Sequence, residues 1–216
     1  MVRNCFITIL LLLLQMVHAT AGTIVGEVAL TPARPANTAI NRYTGRDAVA
    51  NKNIDTDDAV ATAVVYLTGG PVSSVVPPNE HPQMVQKDQS FVPEILPILV
   101  GTTVDFPNLD PVFHNVFSYS KAKKFDLGRY PKGHSKSVTF DTPGLVKVFC
   151  EIHSAMRAHI LVLEQPFFAL ASEDGSFRIP NVPAGNYTLN VWQENVPEKQ
   201  VTITVPDSDS VSVRVD

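Results

Sequence analysis

Apolar residues in this chain fall mostly at alternate positions, and proline and glycine interrupt them at short intervals. Alternation at a period of two marks half-buried strands, and clusters of Pro, Gly, Asn and Asp mark the turns between them. "TIVGEVAL" (23–30) and "ATAVVYL" (61–67) read as strands, separated by a polar stretch over 31–59 without a period, expected as a long loop. "GGPVSSVVPPNEHPQ" (69–83) is turn-rich and reads as a linker. A denser block follows. Residues 84–110 alternate between Pro and Gly breaks, "HNVFSYS" is a strand, and "KAKKFDLGRYPKGHSK" is polar and basic and reads as a loop. "SVTFDTPGLVKVFC" gives two strands joined through Thr142, Pro143 and Gly144, and "HILVLE" closes the block. "FFALASEDGSFRI" then reads as a hairpin turning at Asp174–Gly175 and "PNVPAG" as a second turn; "NYTLNVWQE" is a strand, and "KQVTITVPDSDSVSVRV" supplies two more. No stretch predicts a helix and no internal repeat is visible. The expected class is all-β.

The first residues depart from this pattern. Arg3 is followed by an apolar, leucine-rich run from Cys5 to Val17, then by the small residues Ala19–Ala21. That order is a cleavable leader, so residues 1–21 are expected to be a signal peptide, with the mature chain starting near Gly22 in the periplasm. An uncleaved anchor is the alternative, but the run is short for a bilayer span of about 20 residues. Cys5 sits at the start of the run, the wrong place for a lipid-modified cysteine just after a leader.

The 216 residues suffice for one large or two small domains. Net charge is -4, with no extended basic stretch to neutralise phosphates, so a nucleic-acid partner is not expected.

Export changes the meaning of cysteine, because exported proteins use cysteines in pairs. With Cys5 removed, Cys150 stands alone. An odd cysteine there is either a buried inert thiol or a metal thiolate. In "FCEIHSAM", His153 and Met156 follow Cys150 on one short turn. A trigonal site of one thiolate and two imidazoles with a weak axial thioether is a blue-copper electron-transfer site. His114, at the start of the "HNVFSYS" strand, is the candidate second imidazole if its strand neighbours that of Cys150. The soft sulfurs favour Cu(I) and the imidazoles suit both oxidation states. Zinc is less suited, since methionine is a poor ligand for it. His159 and Glu151 are weaker candidates for the axial place, expected instead as a partly buried strand histidine and a solvated rim carboxylate. His81 and His134 are expected to be solvated.

The block over 81–164 resembles a cupredoxin of the plastocyanin/amicyanin type. "LVGTTVDFPNLD" resembles the strand and turn before the first histidine ligand, and "FHNVF" the segment that carries it. "SVTFDTPGLVKVFCEIHSAM" resembles the Phe-x-x-Pro-Gly hairpin leading into the Cys-His-Met loop. The resemblance implies one mononuclear copper ion, with Cys150 as thiolate, His114 and His153 as equatorial ligands and Met156 as axial ligand. It also implies a supporting Asn115, whose backbone N–H donates to the thiolate and whose side chain ties down the loop.

The flanking segments resemble a second family. "SEDGSFRIPNVPAGNYTLNV", with "GTIVGEVAL" and "AVVYL", is similar to the carboxypeptidase regulatory-like, prealbumin-type β-sandwich. Phe177, Ile179, Tyr187, Leu189 and Val191 are expected to alternate inward. Together these imply a nested chain: 22–80 and 165–216 form an outer sandwich, and 81–164 is a cupredoxin-like Greek-key sandwich inserted into it. One extended sandwich is the alternative. Proteins of this combined architecture are similar to those named methylamine utilization proteins, which implies a link to amine oxidation.

The expected function is that of an exported single-copper electron carrier rather than an enzyme. Multicopper oxidases need several His-x-His pairs, and the chain has none. A copper-delivery protein and a β-sandwich interaction module are the rival readings. Redox partner proteins are expected to dock at the His153 edge or on the basic loop Lys121–Lys136.

Overall fold

The computed structural model describes residues 21–31, 62–71, 76–207 and 209–216. The leader and the polar stretch expected over 31–59 therefore fall almost wholly outside the described residues. Those residues form sixteen strands and no helix. In chain order the first two are β1 (Ala21–Val28) and β2 (Ala63–Thr68). Then come β3 (Val85–Lys87), β4 (Ser90–Val92), β5 (Ile95–Leu99), β6 (Thr102–Pro107), β7 (His114–Tyr119) and β8 (Lys124–Tyr130). They are followed by β9 (Ser135–Phe140), β10 (Gly144–Phe149) and β11 (Arg157–Leu163). The last five are β12 (Phe168–Leu170), β13 (Ser176–Pro183), β14 (Gly185–Gln193), β15 (Lys199–Val205) and β16 (Ser210–Val215).

The terminal strands build one pair of sheets. A three-stranded sheet in the order β13-β1-β16 faces a four-stranded sheet in the order β12-β2-β14-β15. Between them lies a core that includes Ile24, Leu67, Phe177, Ile179, Tyr187 and Leu189. The alternating residues of β13 and β14 supply this core because successive side chains of a strand point to opposite faces. The middle strands build a five-stranded sheet, β5-β11-β10-β7-β8, with the two-stranded β6-β9 and β3-β4 ribbons. Their core includes Phe106, Phe140, Val146, Val148, Ile160 and Met156. Burying a side chain of this size contributes about 1.5–3 kcal/mol.

β11 and β2 carry runs of consecutive buried residues. β11 is buried from Ala158 to Leu163, and β2 from Ala63 to Val65 and again at Leu67. A strand covered on both faces reads as a continuous apolar run. One face of β11 (Ala158, Ile160, Val162) belongs to the middle core. The other places Leu161 and Leu163 with Val64 in a third cluster, against Tyr66, Phe168 and Trp192. The apolar runs in these two strands thus mark where the sheets of the terminal and middle strands pack together.

Three sequence expectations need correction. The stretch Lys121–Lys136, expected as a basic loop, contains strand β8 at the edge of the five-stranded sheet. Phe125 and Leu127 alternate with charged residues and pack on the middle core, while Tyr130 is buried within it. The density of lysine, typical of an edge strand, hides that alternation. Second, β9 and β10 do not form a hairpin: β9 pairs with β6, whereas β10 lies between β11 and β7. Third, β12 pairs with β2 and β13 with β1, so the Asp174–Gly175 turn carries the chain from one sheet to the other. In both cases the connection is short, but each strand pairs with a partner distant in sequence.

Candidate metal centre

The ligand types predicted from spacing come from two neighbouring strands. β7 begins at His114, and it pairs antiparallel with β10 through Phe117 and Phe149. Cys150 follows β10 directly, and a short turn carrying His153 leads to Met156 and β11. The turn is closed by backbone hydrogen bonds from the Met156 N–H to the His153 carbonyl (3.0 Å) and from the Cys150 N–H to the Met156 carbonyl (3.3 Å).

The structure brings His114, Cys150 and His153 into one group whose donor atoms all lie within 4.8 Å of one another. Cys150 Sγ is 3.8 Å from His114 Nδ1 and 3.9 Å from His153 Nδ1. The two Nδ1 atoms are 3.0 Å apart. Donors bound trigonally to one ion at about 2.0–2.3 Å are separated by about 3.5–3.8 Å. The two S···N distances are close to that range and the two Nδ1 atoms lie nearer, so the set encloses a metal-sized gap with the rings about 0.5 Å closer than in the bound arrangement. His114 and Cys150 are buried and His153 is half-buried, which leaves His153 as the ligand-type residue nearest solvent. Met156 is buried in the same core cluster as Cys150.

His114 is oriented by a group absent from the sequence reading. Its Nε2 lies 2.7 Å from Oδ2 of Asp110, a residue only 5% exposed. Asp110 in turn accepts the backbone N–H of Asp88 to Oδ1 (2.6 Å) and of Gln89 to Oδ2 (2.8 Å). Burial alone would push the Asp110 carboxyl up. Hydrogen bonds from the Gln89 N–H, the His114 ring and the Asp88 N–H outweigh it and hold the group below the ordinary carboxylate range. The only sequence signal was an aspartate one turn before the histidine in "NLDPVFH", which could equally have been a plain turn residue.

The segment between Asp110 and His114 is pinned by Asn108. Its Nδ2 donates to the carbonyls of Val112 (2.9 Å) and Tyr130 (3.0 Å), and its Oδ1 accepts the Asp110 N–H (2.9 Å). Below it, the Tyr130 hydroxyl donates to the Phe106 carbonyl (2.7 Å) and accepts from Gln86 Nε2 (2.6 Å). Burial pushes the Tyr130 hydroxyl well above its ordinary range. Asn115 ties the two ligand segments together: its side-chain oxygen accepts the Glu151 N–H at 2.7 Å.

The weaker candidates are placed elsewhere. Glu151 is an exposed carboxylate paired with Arg129 at 2.7 Å. His159 lies on the face of β11 opposite Ala158 and Ile160, with its ring 5.3 Å from Trp192 and Nε2 3.9 Å from Glu194. His81 pairs with Asp105 at 3.1 Å, and His134 is exposed. Among the described residues, no other group of three His, Cys, Asp or Glu side chains converges in this way. In the segments that lead into His114 and His153, the apolar side chains of Leu109, Val112, Phe113 and Ile152 are exposed.

Comparison with known proteins adds partial likenesses. A family model described as polysaccharide lyase family 4, domain II, matches residues 165–213, the span of β12 to β15 and most of β16. No curated protein matches the sequence. Among solved structures, the chain is similar to a copper-containing nitrite reductase from Thermus scotoductus SA-01, at 27% identity and TM-score 0.39. That match covers 44% of this chain and only 25% of the reductase. It is similar to a purple cupredoxin from Nitrosopumilus maritimus at 26% identity and TM-score 0.35, covering 38% of this chain and 99% of that one. A reduced amicyanin variant matches at 20% identity and TM-score 0.37, covering 44% of this chain and 98% of that one.

Proposed function

We propose that this protein is an exported, mononuclear copper electron carrier, with His114, Cys150 and His153 as equatorial ligands and Met156 as axial ligand. The observation that carries the reading is the convergence of two Nδ1 atoms and one Sγ at 3.0, 3.8 and 3.9 Å. Two soft or borderline nitrogens and a thiolate in a trigonal array are the donors of a blue-copper centre. A copper ion held there supplies a reversible one-electron couple.

The residues around the site do the rest. Asn108 and Asn115 hold the two ligand segments in one geometry, which limits reorganisation between oxidation states. The buried His114 and Cys150 keep water from the thiolate. His153 is half-buried, the adjoining Ile152 is exposed, and Phe113, which precedes His114, is exposed as well; this edge is the surface on which we place redox partners. The basic stretch is a weaker candidate, because part of its charge is already engaged. Lys123 pairs with Asp141, Arg129 with Glu151, and Lys136 stands over the Tyr130 ring. Periplasmic location and removal of residues 1–21 are part of the proposal. So are a nested outer sandwich with a regulatory-like fold and a carrier rather than enzymatic role.

The test is the visible spectrum of residues 22–216 titrated with Cu(II). An intense thiolate-to-copper band and a reversible one-electron wave are expected, and Cys150→Ala should abolish the band. Its persistence in that variant would falsify the ligand assignment. Copper binding without the band would indicate a delivery protein, and no binding an interaction module.

A further inference from the structure

We propose that Asp110 is a positioning residue for the metal centre: its carboxylate fixes the proton of His114 on Nε2, leaves Nδ1 free to ligate, and lowers the reduction potential of the bound ion. The inference rests on the copper reading above and deepens it.

The geometry has three links. First, His114 Nε2 is 2.7 Å from a carboxylate oxygen that is itself almost fully buried. A carboxylate accepts and cannot donate, so this nitrogen carries the proton. Second, Nδ1 is thereby left with its lone pair, and it is the atom that faces Cys150 Sγ and His153 Nδ1. Third, the carboxylate is held in place by the N–H groups of Asp88 and Gln89 at 2.6 and 2.8 Å. These two residues form the tight turn between β3 and β4, with φ of 53° and 55°. Both lie in the left-handed region, which a non-glycine residue adopts at a cost. The turn therefore aims two adjacent N–H groups at the carboxylate and helps hold it in place.

A carboxylate hydrogen-bonded to a ligand imidazole raises its basicity. Greater donation stabilises the doubly charged ion more than the singly charged one. In Asp110→Asn the side chain keeps its shape and an acceptor oxygen but loses its charge. The expected consequence is a loss of Cu(II) affinity relative to Cu(I) of about 10- to 100-fold. For a one-electron couple that corresponds to a potential higher by about 60–120 mV.

The experiment measures the midpoint potential of copper-loaded wild type and Asp110→Asn by voltammetry, with copper-free thermal melts of both as the fold control. A higher potential in the variant supports the inference. An intact thiolate band with an unmoved potential overturns it while leaving the copper reading in place. Absence of the band from the wild type overturns both. Should Asp110→Asn fail to fold, nitrogen-15 NMR of the Cu(I)-loaded wild type decides. A slowly exchanging His114 Nε2–H, coupled across its hydrogen bond to the Asp110 carboxylate, is expected. A deprotonated or freely exchanging Nε2 overturns the assignment.

Discussion

The side-chain oxygen of Asn115 accepts the backbone N–H of Glu151 at 2.7 Å, joining the residue after one candidate ligand, His114, to the residue after another, Cys150. The two residues are far apart in sequence, and Asn115 is buried. The bond thus fixes the distance between the two ligand segments before any ion arrives.

Replacing Asn115 with alanine should leave the Glu151 N–H without its partner at the edge of the core. Because Glu151 is exposed and the bond part-buried, its loss costs about 0.5–1.5 kcal/mol. We expect a corresponding loss of stability in copper-free protein and faster release of copper to a chelator. Chelator kinetics unchanged from wild type would show that the bond plays no part in shaping the site.

Met156 combines two roles that different substitutions can separate. It is buried in the middle core, so Met156→Ala should cost roughly 2–5 kcal/mol through the cavity it leaves. Met156→Leu keeps the volume and should cost less than about 1.5 kcal/mol. If the thioether is the axial ligand, Met156→Leu should still bind copper and show the thiolate band, but with a raised potential. A potential equal to wild type in Met156→Leu would remove Met156 from the ligand set and leave it a core residue.

The all-β class and most strand positions were legible because alternation is a local property of the chain. So was the group of His114, Cys150 and His153, whose residue types and spacing constrain each other. What was not legible depends on contacts distant in sequence. Strand β8 was missed because its inward Phe125 and Leu127 are outnumbered by charged neighbours, which are outward-facing on an edge strand. The chain passages from β9 to β10 and from β12 to β13 looked like hairpins because a short connection does not disclose which partner each strand chooses. Asp110 was missed for a related reason. Its function requires the β3–β4 turn to approach from elsewhere in the chain, and nothing local in "NLDPVFH" encodes that.

Gly175 tests whether the terminal sandwich and the metal site are energetically separate. Its φ is +83°, and a Cβ there would lie 2.2 Å from the Val28 carbonyl oxygen. That carbonyl belongs to the backbone of β1 and cannot move aside cheaply. Gly175→Ala should therefore destabilise the terminal sandwich by roughly 1–3 kcal/mol. The copper spectrum and potential should stay as in wild type, because the substitution lies outside the middle core. An altered spectrum would show that strain in the outer sheets reaches the site.

His159 makes the junction between the two sets of sheets sensitive to acid. Its ring is buried beside Trp192, and its Nδ1 has no hydrogen-bond partner. Burial disfavours the charged form first. Of the neighbouring charges, Glu194 opposes that effect and Lys147 and Arg157 add to it, leaving the imidazole below its ordinary pKa. Glu94, whose carbonyl accepts the His159 N–H at 2.8 Å, is shifted the other way: burial and then Glu194 raise its carboxyl, against Arg157. The signs follow from which state holds the proton. Between the lowered folded value of His159 and its ordinary value of 6.5, the unfolded chain is protonated and the folded chain is not. The histidine's contribution is therefore complete above 6.5 and is lost as pH falls toward the folded value. Glu94 contributes with the opposite slope from its ordinary value of 4.5 upward, since the folded state keeps its proton longer. His159→Phe retains a ring against Trp192 and removes the titration. Denaturant unfolding of copper-free wild type and variant between about pH 5 and pH 8 should show a shallower acid-side decline in the variant. Contributions from every other group are common to both proteins and cancel in the difference. Equal slopes in the two proteins would mean that His159 is solvated enough to take up its proton without disturbing the junction.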